Sequence, residues 1–151
     1  MLLLLASSCK IKVFNNNDDE SEFTGPSWSV GYFQDEDDQN EFLKRLDEEK
    51  IPFRHGNRNS IQVPVAFIAR VRAIQRKIWY GDKLDPYVYE SVIVFKATKE
   101  NYEAAFKEKG IPYSFEKING THEAWSMHYS QYFGPQVDQI KQQLEIENRQ
   151  Y

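Results

Sequence analysis

The sequence predicts an α+β fold, built by tandem duplication of a small strand–helix–strand–strand–helix unit whose helices pack on its sheets. Two observations carry this prediction. Asn40 to Phe53 reads NEFLKRLDEEKIPF and Glu100 to Tyr113 reads ENYEAAFKEKGIPY, so Phe42 meets Tyr102, Leu46 meets Phe106, and Ile51-Pro52-Phe53 meets Ile111-Pro112-Tyr113. With a six-residue insertion in the second copy, further pairs come into line: Ser60 with Ser126, Phe67 with Phe133, Val71 with Val137, Ile74 with Ile140, and Ile78 with Leu144. A composition of 40% hydrophobic and 28% charged residues supports a packed core over 151 residues.

The elements follow in order. Trp28 to Phe33 alternates as a strand does. Asp35 to Asp38 places negative charge where a helix N-terminus favours it, and Phe42, Leu43 and Leu46 supply the apolar stripe to about Lys50. Pro52 stops the helix. Pro52 to His55 and Ser60 to Val65 pair around Gly56-Asn57, and Phe67, Val71, Ile74 and Ile78 mark a second helix. In the second copy Ser91 to Ala97 is a buried strand, Thr98 caps the next helix and Gly110 ends it. Tyr113 to Ile118 and Glu123 to Tyr129 form a hairpin around Asn119-Gly120, and Pro135 opens a last helix over Gln136 to Glu147. Units of about sixty residues are marginal alone, so the halves are expected to share a core or a sheet edge. The expected organisation is a leader over 1–9, an acidic tether over 10–26, repeats over 27–80 and 90–151, and a connector over 81–89.

Leu5-Ala6-Ser7-Ser8-Cys9, after Leu2 to Leu4, resembles the lipobox of bacterial lipoprotein signals. No Lys or Arg precedes the short apolar run, which a start codon further upstream would explain. The resemblance implies cleavage before Cys9, acylation of Cys9 and a periplasmic protein held at a membrane. Lys10 after the Cys favours the outer membrane in that class. Without the resemblance, Leu2 to Leu5 form a buried strand or helix end and Cys9 a buried thiol. Asn15 to Glu22 (NNNDDESE) is polar and acidic, as a tether would be. The order of elements also resembles the ring-building modules of secretion-system lipoproteins.

Motifs for catalysis are missing from the sequence. One Cys excludes an internal disulfide and multi-cysteine metal sites. His55, His122 and His128 have no metal-ligand spacing, and Asp35 to Asp38 lacks the ligand pattern of a calcium loop. No nucleophile elbow, P-loop or dinucleotide fingerprint occurs. The expectation is therefore a non-enzyme without cofactor or metal. The net charge of −4 disfavours nucleic acid.

Charge is segregated. Residues 1–50 carry twelve acids and five bases, residues 51–83 seven bases and one acid, and residues 84–151 ten acids and seven bases. The basic share centres on Arg70, Arg72, Arg76 and Lys77. These form either a solvated helix face balancing the acidic neighbour helix or a patch for an acidic partner or lipid headgroup.

Three function classes remain. Protein binding leads, most concretely as an immunity protein that neutralises a secreted antibacterial toxin such as a lipase or peptidoglycan hydrolase. A scaffold of an envelope or secretion assembly is second, and a small-ligand binder or enzyme with a cleft between repeats is third. The expected partner-binding residues are Tyr80, Asp82, Lys83, Asp85 and Tyr87 in the connector, and His55, Asn57, Arg58 and Asn59 on the first hairpin. Trp79 is expected to face the core.

Overall fold

The computed structural model describes residues 23, 25–31, 33–57, 60–120 and 123–149. The first unit runs β1 (Ser27–Val30), α1 (Glu36–Glu48), β2 (Arg54–His55), β3 (Ile61–Pro64) and, after a 3-10 turn over Val65–Phe67, α2 (Ile68–Tyr80). The second runs β4 (Tyr89–Phe95), α3 (Lys96–Lys109), β5 (Ser114–Ile118), β6 (Ala124–Ser130), a 3-10 turn over Gln131–Phe133, and α4 (Gly134–Asn148). Each unit has one antiparallel three-stranded sheet, in the orders β1-β3-β2 and β4-β6-β5. The fold is α+β and the unit is repeated.

The repetition extends to register. Val30 pairs with Ile61 as Val92 pairs with Met127, and Arg54 pairs with Gln62 as Ser114 pairs with His128. The six inserted residues lengthen the second hairpin. Its added rungs are Glu116 with Ser126, Lys117 with Trp125 and Ile118 with Ala124, and β4 follows them with Ile93, Val94 and Phe95.

Local chemistry explains the helix ends. The Asp35 carboxylate accepts a hydrogen bond from the Asp37 N–H at 2.7 Å, capping α1. At the other end Ile51 N–H bonds Leu46 O at 2.9 Å, just as Ile111 N–H bonds Phe106 O at 2.9 Å after α3. Both closures need a left-handed residue. Gly110 supplies it at φ 66°, whereas Lys50 is forced to φ 55°. Thr98 is not the cap of α3. That position is Phe95, and the Thr98 hydroxyl donates to Phe95 O from inside the first turn at 3.2 Å.

Each unit closes its own apolar core. The first is built on Val30, Phe42, Leu46, Ile61, Val63 and Val71, and the second on Val94, Phe106, Met127, Tyr129, Val137 and Ile140. The shared core or sheet edge expected from the sequence is absent among the described residues. The units meet instead through α2 and α4, with α4 also packing on the 3-10 turn over Val65–Phe67, and the α2–α4 contact carries polar pairs. The helices run antiparallel: Ala69 N–H donates to Gln142 Oε1 at 2.9 Å, Arg72 Nε lies 3.5 Å from Asp138 Oδ1, and Arg76 packs on Gly134. Arg72 and Asp138 occupy equivalent positions of the two repeats, so the junction is close to twofold symmetric about that pair.

Candidate partner-binding surface

The basic helix is neutralised within the chain. Arg76 pairs with Glu90 at 3.0 Å and with Asp138 at 2.8 Å, and all three side chains are buried. Arg72 joins both acids at 3.8 and 3.5 Å, and the Tyr129 hydroxyl donates to Glu90 at 3.2 Å. Arg70 reaches Glu49 at 3.0 Å and Lys77 reaches Asp82 at 2.9 Å. Burial pulls the Arg76 pKa down, but the hydrogen bonds it donates to Glu90 and its pairing with Asp138 outweigh it and hold the guanidinium above its ordinary value. At Asp138 burial wins over Arg76, and its carboxyl titrates above the ordinary range. Lys141, against the Trp28 ring at 4.9 Å, is pushed down by burial and then by the charge of Arg72. The expected solvated face balancing the neighbouring acidic helix holds only for Arg70 with Glu49; Arg72 and Arg76 turn instead into the junction, where the charges of the second unit meet them. The acids are Glu90 and Asp138 of the second unit as well as Glu49 of the adjacent helix.

The connector is a rigid turn. Asp85 N–H donates to Gln131 Oε1 at 2.8 Å, and Tyr87 N–H donates to Asp85 Oδ1 at 2.8 Å. The Ser130 hydroxyl donates to Pro86 O at 2.7 Å, and Gln131 N–H donates to Val88 O at 2.8 Å. Gln131 is itself buried. Above this base the Tyr87 side chain is 88% exposed. Asp82 and Lys83 are exposed nearby in sequence, and Tyr80 is half-exposed at the end of α2. Trp79 differs from expectation. It is 40% exposed, its ring lying at the margin of the first core, against Phe33 at 5.9 Å and Tyr80 at 6.3 Å.

On the first hairpin, His55 and Asn57 are exposed, and Gly56 N–H bonds Ser60 O at 2.7 Å to close the turn. Arg58, Asn59 and Cys9 lie outside the described residues. The hairpin residues come from β2 and its turn, whereas the connector is pinned to the second unit, and among the described residues no hydrogen bond or ion pair joins these two candidate surfaces.

Sequence reading missed three groups. Gln131 and Ser130 pin the connector from across the chain, a long-range relation with no local signal. Glu90 and Asp138 look like surface acids until α2 is placed beside them. The outward residues Tyr89, Ile93 and Phe95 of β4 are 70%, 58% and 55% exposed, so the strand expected to be buried is open on one face; the continuous apolar run Val92-Ile93-Val94-Phe95 reads as buried on both sides and gives no signal of this.

Among the described residues no group of three His, Cys, Asp or Glu is placed to hold a metal ion, and no helix is long and apolar enough to cross a membrane. A hollow of about 490 Å³ lies between the entry to the first unit and the end of α4, lined by Phe23, Pro26, Val65, Ile146 and Arg149 among others. Its lining lacks a nucleophile beside a base. No protein-family model, curated protein or solved structure matches the chain.

Proposed function

We propose that this chain is a non-catalytic, lipid-anchored periplasmic protein that binds another protein, most concretely an immunity protein that neutralises a secreted antibacterial toxin. The supporting observation is the connector: an 88% exposed Tyr87 stands on a turn held by four hydrogen bonds from 2.7 to 2.8 Å. A tyrosine offers large contact area with few rotamers to freeze. A turn already fixed loses little entropy on docking, so more of the contact energy appears as affinity. Asp82, Lys83 and Asp85 around it provide charge for steering and register. Anchoring through Cys9 rests on the lipobox resemblance of Leu5 to Cys9 and on the acidic stretch that follows.

The test mixes the full chain with the secreted effector encoded beside its gene. A one-to-one complex by light scattering, with loss of the effector's hydrolytic activity, is the expected result. A complex that leaves activity intact, or no complex, would overturn the inhibitor reading. Palmitate labelling of cells expressing the chain from its most upstream start codon tests the anchor, with Cys9→Ser as the unlabelled control.

A further inference from the structure

The two repeats differ most in one place. The first sheet turns Ser27, Ser29, Arg54 and Gln62 outward, away from its helices, and Arg54 Nε donates to Gln62 Oε1 there at 2.8 Å. The second sheet turns Tyr89, Ile93 and Phe95 of β4 and Ile118 of β5 outward, at 70%, 58%, 55% and 37% exposure. Ile93, Phe95 and Ile118 all stand on the rungs that the six-residue insertion added, where Phe95 and Ile118 flank Ala124 from either side. The repeated fold closes its first core without those rungs. The extension therefore adds an apolar face that the fold itself does not require.

From this face we infer that the chain self-associates, the extended second sheet packing open face to open face against that of a second copy. Sheet-on-sheet packing is the ordinary way to bury one apolar side of an antiparallel sheet. The four exposed side chains present on the order of 400 Å² of apolar surface, at the size where a patch marks an interaction site. Two such faces with their polar margins bury about 1,000–1,200 Å², the lower end for a specific dimer. Charge also favours a like partner. In a chain of net charge −4, this face carries one carboxylate, Glu116, which lies 3.4 Å from His128. Its remaining outward residues on β4 and β6 are uncharged, so Glu116 is the one acid that each copy brings to the contact. A twofold relation also offers the acid of one copy to the histidine of the other. The connector anchor Tyr87 lies outside the added rungs, so this inference does not depend on the inhibitor reading.

Sedimentation of the full chain under reducing conditions, which exclude a Cys9 disulfide, tests it. A concentration-dependent monomer–dimer equilibrium is expected. Ile93→Lys and Phe95→Glu should each weaken it by about thirtyfold or more, with unchanged circular dichroism. Ser29→Lys, on the corresponding face of the first sheet, should leave it unchanged. If Ile93→Lys fails to fold, Ile93→Ser serves in its place. A wild-type chain that stays monomeric up to about millimolar concentration, weaker than any specific dimer needs, overturns the inference. So does a dimer that survives the β4 substitutions. A monomeric chain that loses effector binding on Ile93→Lys would assign the face to a different protein and also overturn the second copy.

Discussion

Lys50 shows how closely single positions are constrained. It sits in the left-handed region at φ 55° because the chain must turn sharply after α1, and the equivalent position after α3 is Gly110 at φ 66°. A side chain there costs about 1–2 kcal/mol that glycine avoids. Lys50→Gly should therefore stabilise the protein by about 0.5–1 kcal/mol in urea unfolding, after glycine's greater unfolded-state entropy is deducted. Gly110→Ala should destabilise it by about 1 kcal/mol. Tyr87 is the residue on which the proposed function turns. Tyr87→Ala should weaken effector binding by about 2 kcal/mol in calorimetry while leaving thermal stability unchanged, since the side chain is 88% exposed. Unchanged affinity in the folded variant would move the interface away from the connector.

Among the elements, α2 has the most unusual composition. An isolated view of Arg70, Arg72, Arg76 and Lys77 suggests a basic surface, yet α4 and the start of β4 consume the two middle charges. Glu90→Gln should cost about 3–5 kcal/mol, because it breaks a buried ion pair and leaves Arg76 undercompensated. Gly134 belongs to the same contact. A Cβ added there would lie 2.6 Å from Arg76 Nε, and the guanidinium cannot swing away without leaving Glu90 and Asp138. Gly134→Ala should accordingly cost about 1–3 kcal/mol by overpacking.

At the scale of the whole molecule, the junction is a polar seam between two closed cores. Its acid response is the sum of opposed groups. Glu41, Glu103 and Glu123 are held below their ordinary range, chiefly by hydrogen bonds from Arg45, Lys99 and Lys96. Their contribution is present above the unfolded carboxylate pKa and is lost as pH falls through the folded one. Asp138 has the opposite sign. Burial raises its folded pKa, so the native state holds that proton more tightly and stability falls as pH rises from the unfolded to the folded pKa. Asp138→Asn removes the opposing slope. The melting temperature of the variant should fall more steeply than the wild type's on acidification through the carboxylate range. An equal or shallower slope would show that Asp138 does not titrate above its unfolded value.

Much of the architecture was legible from local pattern. Helical and strand periodicities, Ile-Pro-aromatic stops, Gly110 and the Asn119-Gly120 turn act over a few residues, so they marked the repeated unit and placed its insertion in the second hairpin. The exposure of Tyr80 and Tyr87 could be read in the same way from a turn-rich connector. Which surfaces of the helices would meet could not. Whether Arg72 and Arg76 face solvent or a buried acid depends on residues up to 66 positions away, as does the pinning of the connector by Gln131. Trp79 was misplaced for a related reason: helical period gives a side chain's direction but not how far its neighbours cover it. Periodicity specified each unit because secondary structure is a short-range response, while the open face was decided by which side of the second sheet its helices cover, and the seam arose only when the two units were set side by side.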